Sequence, residues 1–260
     1  MHSRDLIEQY KSYVQDWRRY FHKHPELSNE EFETTKTLAK ELESMGVEVH
    51  VDTERGIGLI GIIRGGKPGK AIALRADIDA LPVHEHNTVD YKSETEGKMH
   101  ACGHDGHMAI LLGAAKMFMS MKDRIEGDVY LAFQPAEETG AGAPDFIKFG
   151  DWYDKIDAIF GGHVWIDLPA GLISVEEGPR MAASSQITIN VKGKQGHGAQ
   201  PHQAIDAIVV ASAIVMNLQT VVSRNVSALD SLVLTIGNIH SGSEWNVIPG
   251  EAKMGGTIRF

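Results

Sequence analysis

Cysteine is almost absent, Cys102 being the only one in 260 residues. No internal disulfide can form, which is compatible with a reducing cytosol. Basic residues are also scarce, with 25 Lys and Arg against 35 Asp and Glu for a formal net charge of -10. That balance argues against binding a phosphate backbone, and no nucleic-acid partner is expected. No run is read as reaching the roughly 18 apolar residues of a membrane span, and Met1-His2-Ser3-Arg4-Asp5-Leu6 lacks the apolar core of a secretory signal. The expectation is a cytoplasmic protein with no membrane partner. Repeats, low-complexity tracts and charge blocks are lacking too. What is plentiful is apolar sequence, 42% of the chain, over a length that suggests one large domain or two smaller ones.

Leu6, Ile7, Tyr10, Val14, Trp17 and Phe21 recur mostly at three- and four-residue steps, which predicts an opening amphipathic helix. Ser28 three residues before Glu31 reads as a capping box for a second helix that runs to Met45 and closes on Gly46. His22 and His24 form no convincing ligand pair and are read as surface or supporting residues. Short apolar strands are expected at 47–51, 57–63, 71–74 and 156–160, with an alternating strand at 128–133 and a buried helix from Met108. The pattern changes near Pro179. Alternation over 185–192, an apolar helix over 203–222 and strands at 232–239 and 252–260 give the first part of a βαββαβ unit. A boundary near residue 180 separates 1–180, an α/β domain, from 181–260.

Candidate chemistry collects at element edges. Met99-His100-Ala101-Cys102-Gly103-His104-Asp105-Gly106-His107 holds the lone thiol; in an extended segment Cys102 and His104 face the same way, and Gly103 lets the backbone turn tightly between them. Thiolate and imidazole together suit zinc or manganese. Asp77 and Asp79 close a buried strand, where they could ligate a metal, orient a ligand imidazole from behind, or form an Asx turn. Glu137 and Glu138 follow another strand; one could bind metal while its neighbour reaches a water, or both could decorate a helix N-terminus. His163 follows a strand and two glycines. Four such placements at element edges point to a metal centre.

Taken with Gly196-His197-Gly198-Ala199 and Asn246-Val247-Ile248-Pro249, the segments Arg75 to Pro82, His100 to Asp105, Gln134 to Glu138 and Gly162-His163 resemble a family of dinuclear metal amidohydrolases. It includes hippurate hydrolase, indole-acetyl-amino-acid hydrolases and N-acetyldiaminopimelate deacetylase, within the aminoacylase and carboxypeptidase G superfamily. The resemblance implies a metallopeptidase-like α/β catalytic domain with an inserted α+β lid that also serves dimerisation. It implies two divalent metal ions (Mn, Zn, Co or Ni) held by Cys102, His104, Glu138 and His163, with Glu137 as general base and His197 as a lid donor to the transition state. Asp77 and Asp79 would support the ligands from behind, Asn246 and Arg259 would anchor the substrate carboxylate, and His202 would at most steady its turn. The implied reaction is hydrolysis of N-acyl amino acids, with a homodimer through the lid. In the family the lid continues and the chain returns to the catalytic domain with a further ligand histidine. Here the sequence ends at Phe260, so a fragment is expected, the alternative being a partial protein that depends on another chain. Two readings compete: a Cys102 nucleophile with His104 as base, and a metal- or peptide-binding module that keeps the fold without turnover.

Overall fold

The computed structural model describes residues 3–178 and 181–260. The chain forms two compact units, Met1–Leu172 and Ile173–Phe260. The boundary expected near Pro179 and residue 180 falls outside the described residues, as do Met1 and His2.

In the first unit the apolar runs pair into one sheet of β1 (Glu48–Val51), β2 (Leu59–Arg64), β3 (Ile72–Asp77), β4 (Asp128–Gln134) and β5 (Ala158–Gly161), in the order β1-β2-β4-β3-β5. β3 runs parallel to both β4 and β5, while β1, β2 and β4 are antiparallel neighbours. On β4, Val129, Leu131 and Phe133 enter one core while Tyr130 and Ala132 enter another. Successive side chains point to opposite faces, and here both faces are covered. The strand expected over 128–133 is present as β4 and is buried nearly throughout.

The larger core lies under α1 (Ser3–Lys23), α2 (Phe32–Ser44) and α3 (His104–Met121), and the smaller one gathers Phe146, from α4 (Gly142–Phe146), and Trp152. α1 packs on α3 so closely that a Cβ at Gly113 would lie 2.5 Å from Val14 Cγ2. The capping box is not formed. Glu31 occupies the N-cap without capping, and the Glu26 carboxylate accepts the Glu33 and Thr34 amides instead. Ser28 and Glu31 are engaged elsewhere, as described below. What matters for function is that the parallel strands β3, β4 and β5 deliver their carboxyl ends to one edge, where α/β sheets carry their sites.

The second unit is a three-stranded antiparallel sheet of β6 (Ser184–Lys192), β8 (Val233–Ser241) and β10 (Glu251–Arg259), in the order β6-β10-β8, with a short ladder of β7 (Gly196–His197) on β9 (Val247–Ile248). α5 (Ala207–Thr220) begins at Asp206, whose carboxylate accepts the Ile208 and Val209 amides. Its Ala207 and Ala211 seat it on Val191, Ala252 and Met254. Contrary to the expectation that no such run exists, Ala207–Asn225 is long and apolar enough to cross a membrane by length and composition. In the structure its last turn is a π-helix, and the helix before it covers one face of the sheet.

Candidate metal centre

The Cys102 segment is not extended. Gly103 adopts φ +88 and caps α3, so His104 is the first residue of a helix and the chain turns sharply between thiol and imidazole. A glycine is needed there twice over, since a Cβ would also lie 2.4 Å from Val164 Cγ2. The turn still brings Cys102 and His104 together. Cys102, His104 and His163 place their ligand atoms within 4.8 Å of one another, and His104, Glu137 and Glu138 do the same. His104 belongs to both groups.

Hydrogen bonds fix which nitrogens are available. His104 Nδ1–H donates to the Asp79 carbonyl at 2.8 Å, and His163 Nδ1–H donates to the Val164 carbonyl. In the neutral form each ring therefore leaves Nε2 unprotonated, the arrangement in which histidines bind metals. His163 Nε2 lies 3.5 Å from Cys102 Sγ. His104 Nε2 and Glu138 Oε1, 3.8 Å apart, are both buried without a hydrogen-bond partner. With His104 neutral, two acceptors facing each other are costly unless something positive sits between them, a cation or the proton that His104 takes up. The mixed sulfur, nitrogen and oxygen donors thus fit a borderline divalent cation.

His107 is the functional residue that the sequence reading passes over. Asp77, His104 and His107 also converge within 4.8 Å, but both His107 nitrogens are occupied. Its Nδ1–H donates to Asp77, and its Nε2 accepts the Val164 amide at 2.9 Å. His107 therefore braces the His163 loop rather than offering a ligand atom. The available signal is its spacing, three residues beyond His104 on one helical face.

Asp77 and Asp79 close no Asx turn. Arg75 pairs with Asp77 at 2.9 Å. Asp79 Oδ2 accepts from Ser28 Oγ at 2.6 Å and from the Glu138 amide at 2.9 Å, while Oδ1 lies 3.2 Å from His104 Nδ1. Burial alone would raise the Asp77 carboxyl, but the His107 hydrogen bond and the His104 and Arg75 charges hold it well below the ordinary range. Asp79 is lowered in the same way, its His104, Ser28 and Glu138 hydrogen bonds outweighing burial. His104 moves upward: burial opposes its charge, yet Asp79, Asp77 and Glu138 prevail. Glu137 is raised by burial and by the Asp77 and Glu138 charges. Burial, then Glu138, pushes the Cys102 thiol up to about 12. An activated cysteine nucleophile would be shifted the other way.

A second polar cluster lies behind the site. His22, read from sequence as a surface or supporting residue, is buried with Nδ1 2.7 Å from Asp105 and Nε2 3.1 Å from Glu85. Arg18 adds a contact to Asp105 at 3.0 Å. The cluster ties α1 to the first turn of α3. His24 is exposed.

In the second unit His197 pairs with Val247 across the β7–β9 ladder, and Gly198 donates to the Asn246 carbonyl at 2.8 Å. The Ala199 amide donates to His197 Nδ1 at 3.1 Å, so the exposed Nε2 carries the proton and can donate. Asn246 lies beside His197. Arg259 is the last residue of β10, paired with Ser184 of β6 and Val233 of β8. His202 lies in a short 3₁₀ turn and is exposed.

Residues 73–255 match the family described as peptidase family M20/M25/M40. The chain is 42% identical over 256 residues to an N-acyl-L-amino acid amidohydrolase of Geobacillus stearothermophilus, covering 98% of this chain and 68% of that protein. It is 47% identical over 242 residues to an N-acetyl-L-cysteine deacetylase of Bacillus subtilis (strain 168), covering 93% and 58%. A Bacillus subtilis crystal structure described as a dinuclear metal-binding peptidase of the M20 family superimposes with a TM-score of 0.78 at 38% identity, over 97% of this chain and 65% of that one. The chain thus spans from 58% to 68% of the length of these two curated relatives.

Proposed function

The chain belongs to peptidase family M20/M25/M40, and on that footing we propose that it carries the metal centre of a hydrolase that cleaves the amide bond of N-acyl amino acids. One observation carries the reading. Two histidines, each locked by a backbone carbonyl, turn free Nε2 atoms toward a thiol and an orphaned glutamate oxygen, with a second glutamate alongside. The names of the relatives, an N-acyl amino acid amidohydrolase and an N-acetylcysteine deacetylase, supply the substrate class. Similarity to the dinuclear Bacillus subtilis peptidase supports two metal ions, which manganese, zinc, cobalt or nickel would satisfy.

Cys102, His104, Glu138 and His163 would hold the ions. When bound, such ions bring the pKa of water from about 15.7 to roughly 7 and polarise a carbonyl. The side chains do the rest. Glu137 accepts a proton from the attacking water and returns it to the departing amine, which its raised pKa favours. Asp79 holds His104 in its ligating tautomer, and Asp77 holds His107, which in turn braces the His163 loop. His197 Nε2–H is the proposed donor to the developing oxyanion, a contribution worth about 3 kcal/mol where it has been measured. Asn246 and Arg259 are the proposed anchors of the substrate carboxylate. The exposed apolar side chains of α5, Val209 and Met216 among them, make a homodimer through this unit part of the proposal. A cytoplasmic location rests on the lone cysteine.

The test is a panel of N-acetyl, N-benzoyl and indole-acetyl amino acids, assayed with metal content determined in parallel. Chelation is expected to abolish hydrolysis and added Mn²⁺, Zn²⁺ or Co²⁺ to restore it. Metal bound at full stoichiometry with no turnover on any substrate would favour the binding-module reading.

Cation affinity is expected to rise with pH. The proton on His104 and the one on Cys102 must both leave before the atoms can ligate, and both groups hold their protons above the ordinary range. Each released proton contributes up to about tenfold in affinity per pH unit. Competition titrations with a chromophoric chelator from about pH 6 to 8 should show this trend, and a flat profile would remove these two groups from the ligand set.

A further inference from the structure

The Pro25-Glu26-Leu27-Ser28-Asn29-Glu30-Glu31 segment, whose capping box does not form, has a use elsewhere. Glu31 is fully buried, and its Oε1 accepts the Ala136 amide at 2.7 Å. Ala136 has φ +54, a left-handed conformation that a residue with a Cβ keeps only when its surroundings hold it. Thr139 Oγ1 and the Gly142 amide both donate to the Ala136 carbonyl, at 3.0 and 3.2 Å. Two residues on, the Glu138 amide is held by Asp79, which Ser28 also contacts. The amides on either side of Glu137 are therefore each bound by a buried carboxylate, Glu31 on one side and Asp79 on the other.

We infer that Glu31 is a positioning residue for Glu137: by holding the Ala136 amide it fixes the left-handed turn that aims the glutamate. The inference rests on the proposed role of Glu137 as the base. Glu31 touches neither candidate ligand nor substrate position, so it acts only through the backbone. A carboxylate is not required for this, because a glutamine oxygen accepts the same amide hydrogen. Burial, only partly offset by the Ala136 amide, brings the Glu31 carboxyl up to about 7, so the neutral glutamine differs little from one form the residue already takes.

The experiment compares Glu31→Gln, Glu31→Ala and Glu31→Asp in this chain. Each is assayed for kcat, KM and metal content, with the Ala136 amide proton followed by NMR. The Gln variant is expected to stay within about threefold of the parent in kcat. The Ala variant should lose about a hundredfold, the scale of a 1 Å misplacement, with KM and metal content unchanged and the Ala136 resonance shifted upfield. Asp keeps the charge but withdraws the acceptor by one methylene, and should fall with Ala; it replaces Ala if that variant does not fold. Parent-like kcat in Asp or Ala, or a loss in Gln as deep as in Ala, would overturn the inference. If the parent hydrolyses nothing in the panel, it is the functional reading that fails. The Ala136 resonance still reports whether Glu31 holds the turn, and an unmoved signal in Ala or Asp would overturn that contact.

Discussion

Glu137→Gln is expected to keep its metal ions and lose turnover by a factor of about 10² to 10⁴, the usual contribution of a general base. Glutamine has nearly the same shape, so the turn from Ala136 to Gly140, the Asp79 contact to the Glu138 amide and the His104 tautomer should all survive. What disappears is the capacity to take a proton. Burial and the neighbouring Asp77 and Glu138 charges lift that capacity toward neutral pH in the parent. The adjacent substitution, Glu138→Gln, should behave in the opposite order. It weakens a buried oxygen that faces His104 Nε2, so metal content falls first and turnover follows. Steady-state kinetics on the best panel substrate, with metal analysis of the same samples, separates the two. A Glu137→Gln variant with near-parent turnover would refute the base assignment.

Much of this site can be read from the amino-acid sequence, because strand ends are legible. Asp77, Glu137, Glu138 and His163 each stand at or just after an apolar run that reads as a strand, buried in β4 and exposed in β5, and parallel pairing brings the runs to a common edge. Cys102 and His104 converge through the tight turn that Gly103 predicts, but the segment is not extended, because the left-handed glycine is followed at once by a helix start. Less legible are residues whose partners lie far away in sequence. Ser28 and Glu31 have the local spacing of a capping box, yet tertiary contacts to Asp79 and Ala136 outweigh the local pairing. His22 looks incidental beside a proline turn, and only the fold reveals Asp105 and Glu85 on its two nitrogens. His107 stands inside the motif, but its task, bracing a loop 57 residues later through the Val164 amide, has no sequence signature.

His104→Ala should have the broadest effect of any single substitution, because His104 is shared by two groups of donors and is also the counter-charge for the acids around it. Removing it takes a nitrogen from both the Cys102–His163 side and the Glu137–Glu138 side, so cation affinity should fall by at least about a hundredfold and hydrolysis should vanish. The metal-free protein should suffer as well. Asp79 and Asp77 are almost wholly inaccessible, and His104, itself 0% exposed, faces both. Losing one member of a buried ionic pair costs about 3 to 5 kcal/mol, since the remaining charge is left without compensation. For a unit of this size that is a fall in Tm on the order of 10 °C. The sign of the pH dependence distinguishes this loss from simple cavity formation. The parent's His104 titrates above its unfolded value, so its stabilising contribution is complete below about pH 6.5 and fades as pH rises through the raised folded value. The gap in Tm between metal-free parent and variant should therefore be widest at mildly acidic pH, above the carboxylate range, and narrow toward alkaline pH. Differential scanning calorimetry of both proteins in chelator across that range measures it. A gap that stayed constant with pH would mean that His104 contributes packing rather than charge, and unchanged cation affinity in the variant would remove it from the metal centre altogether.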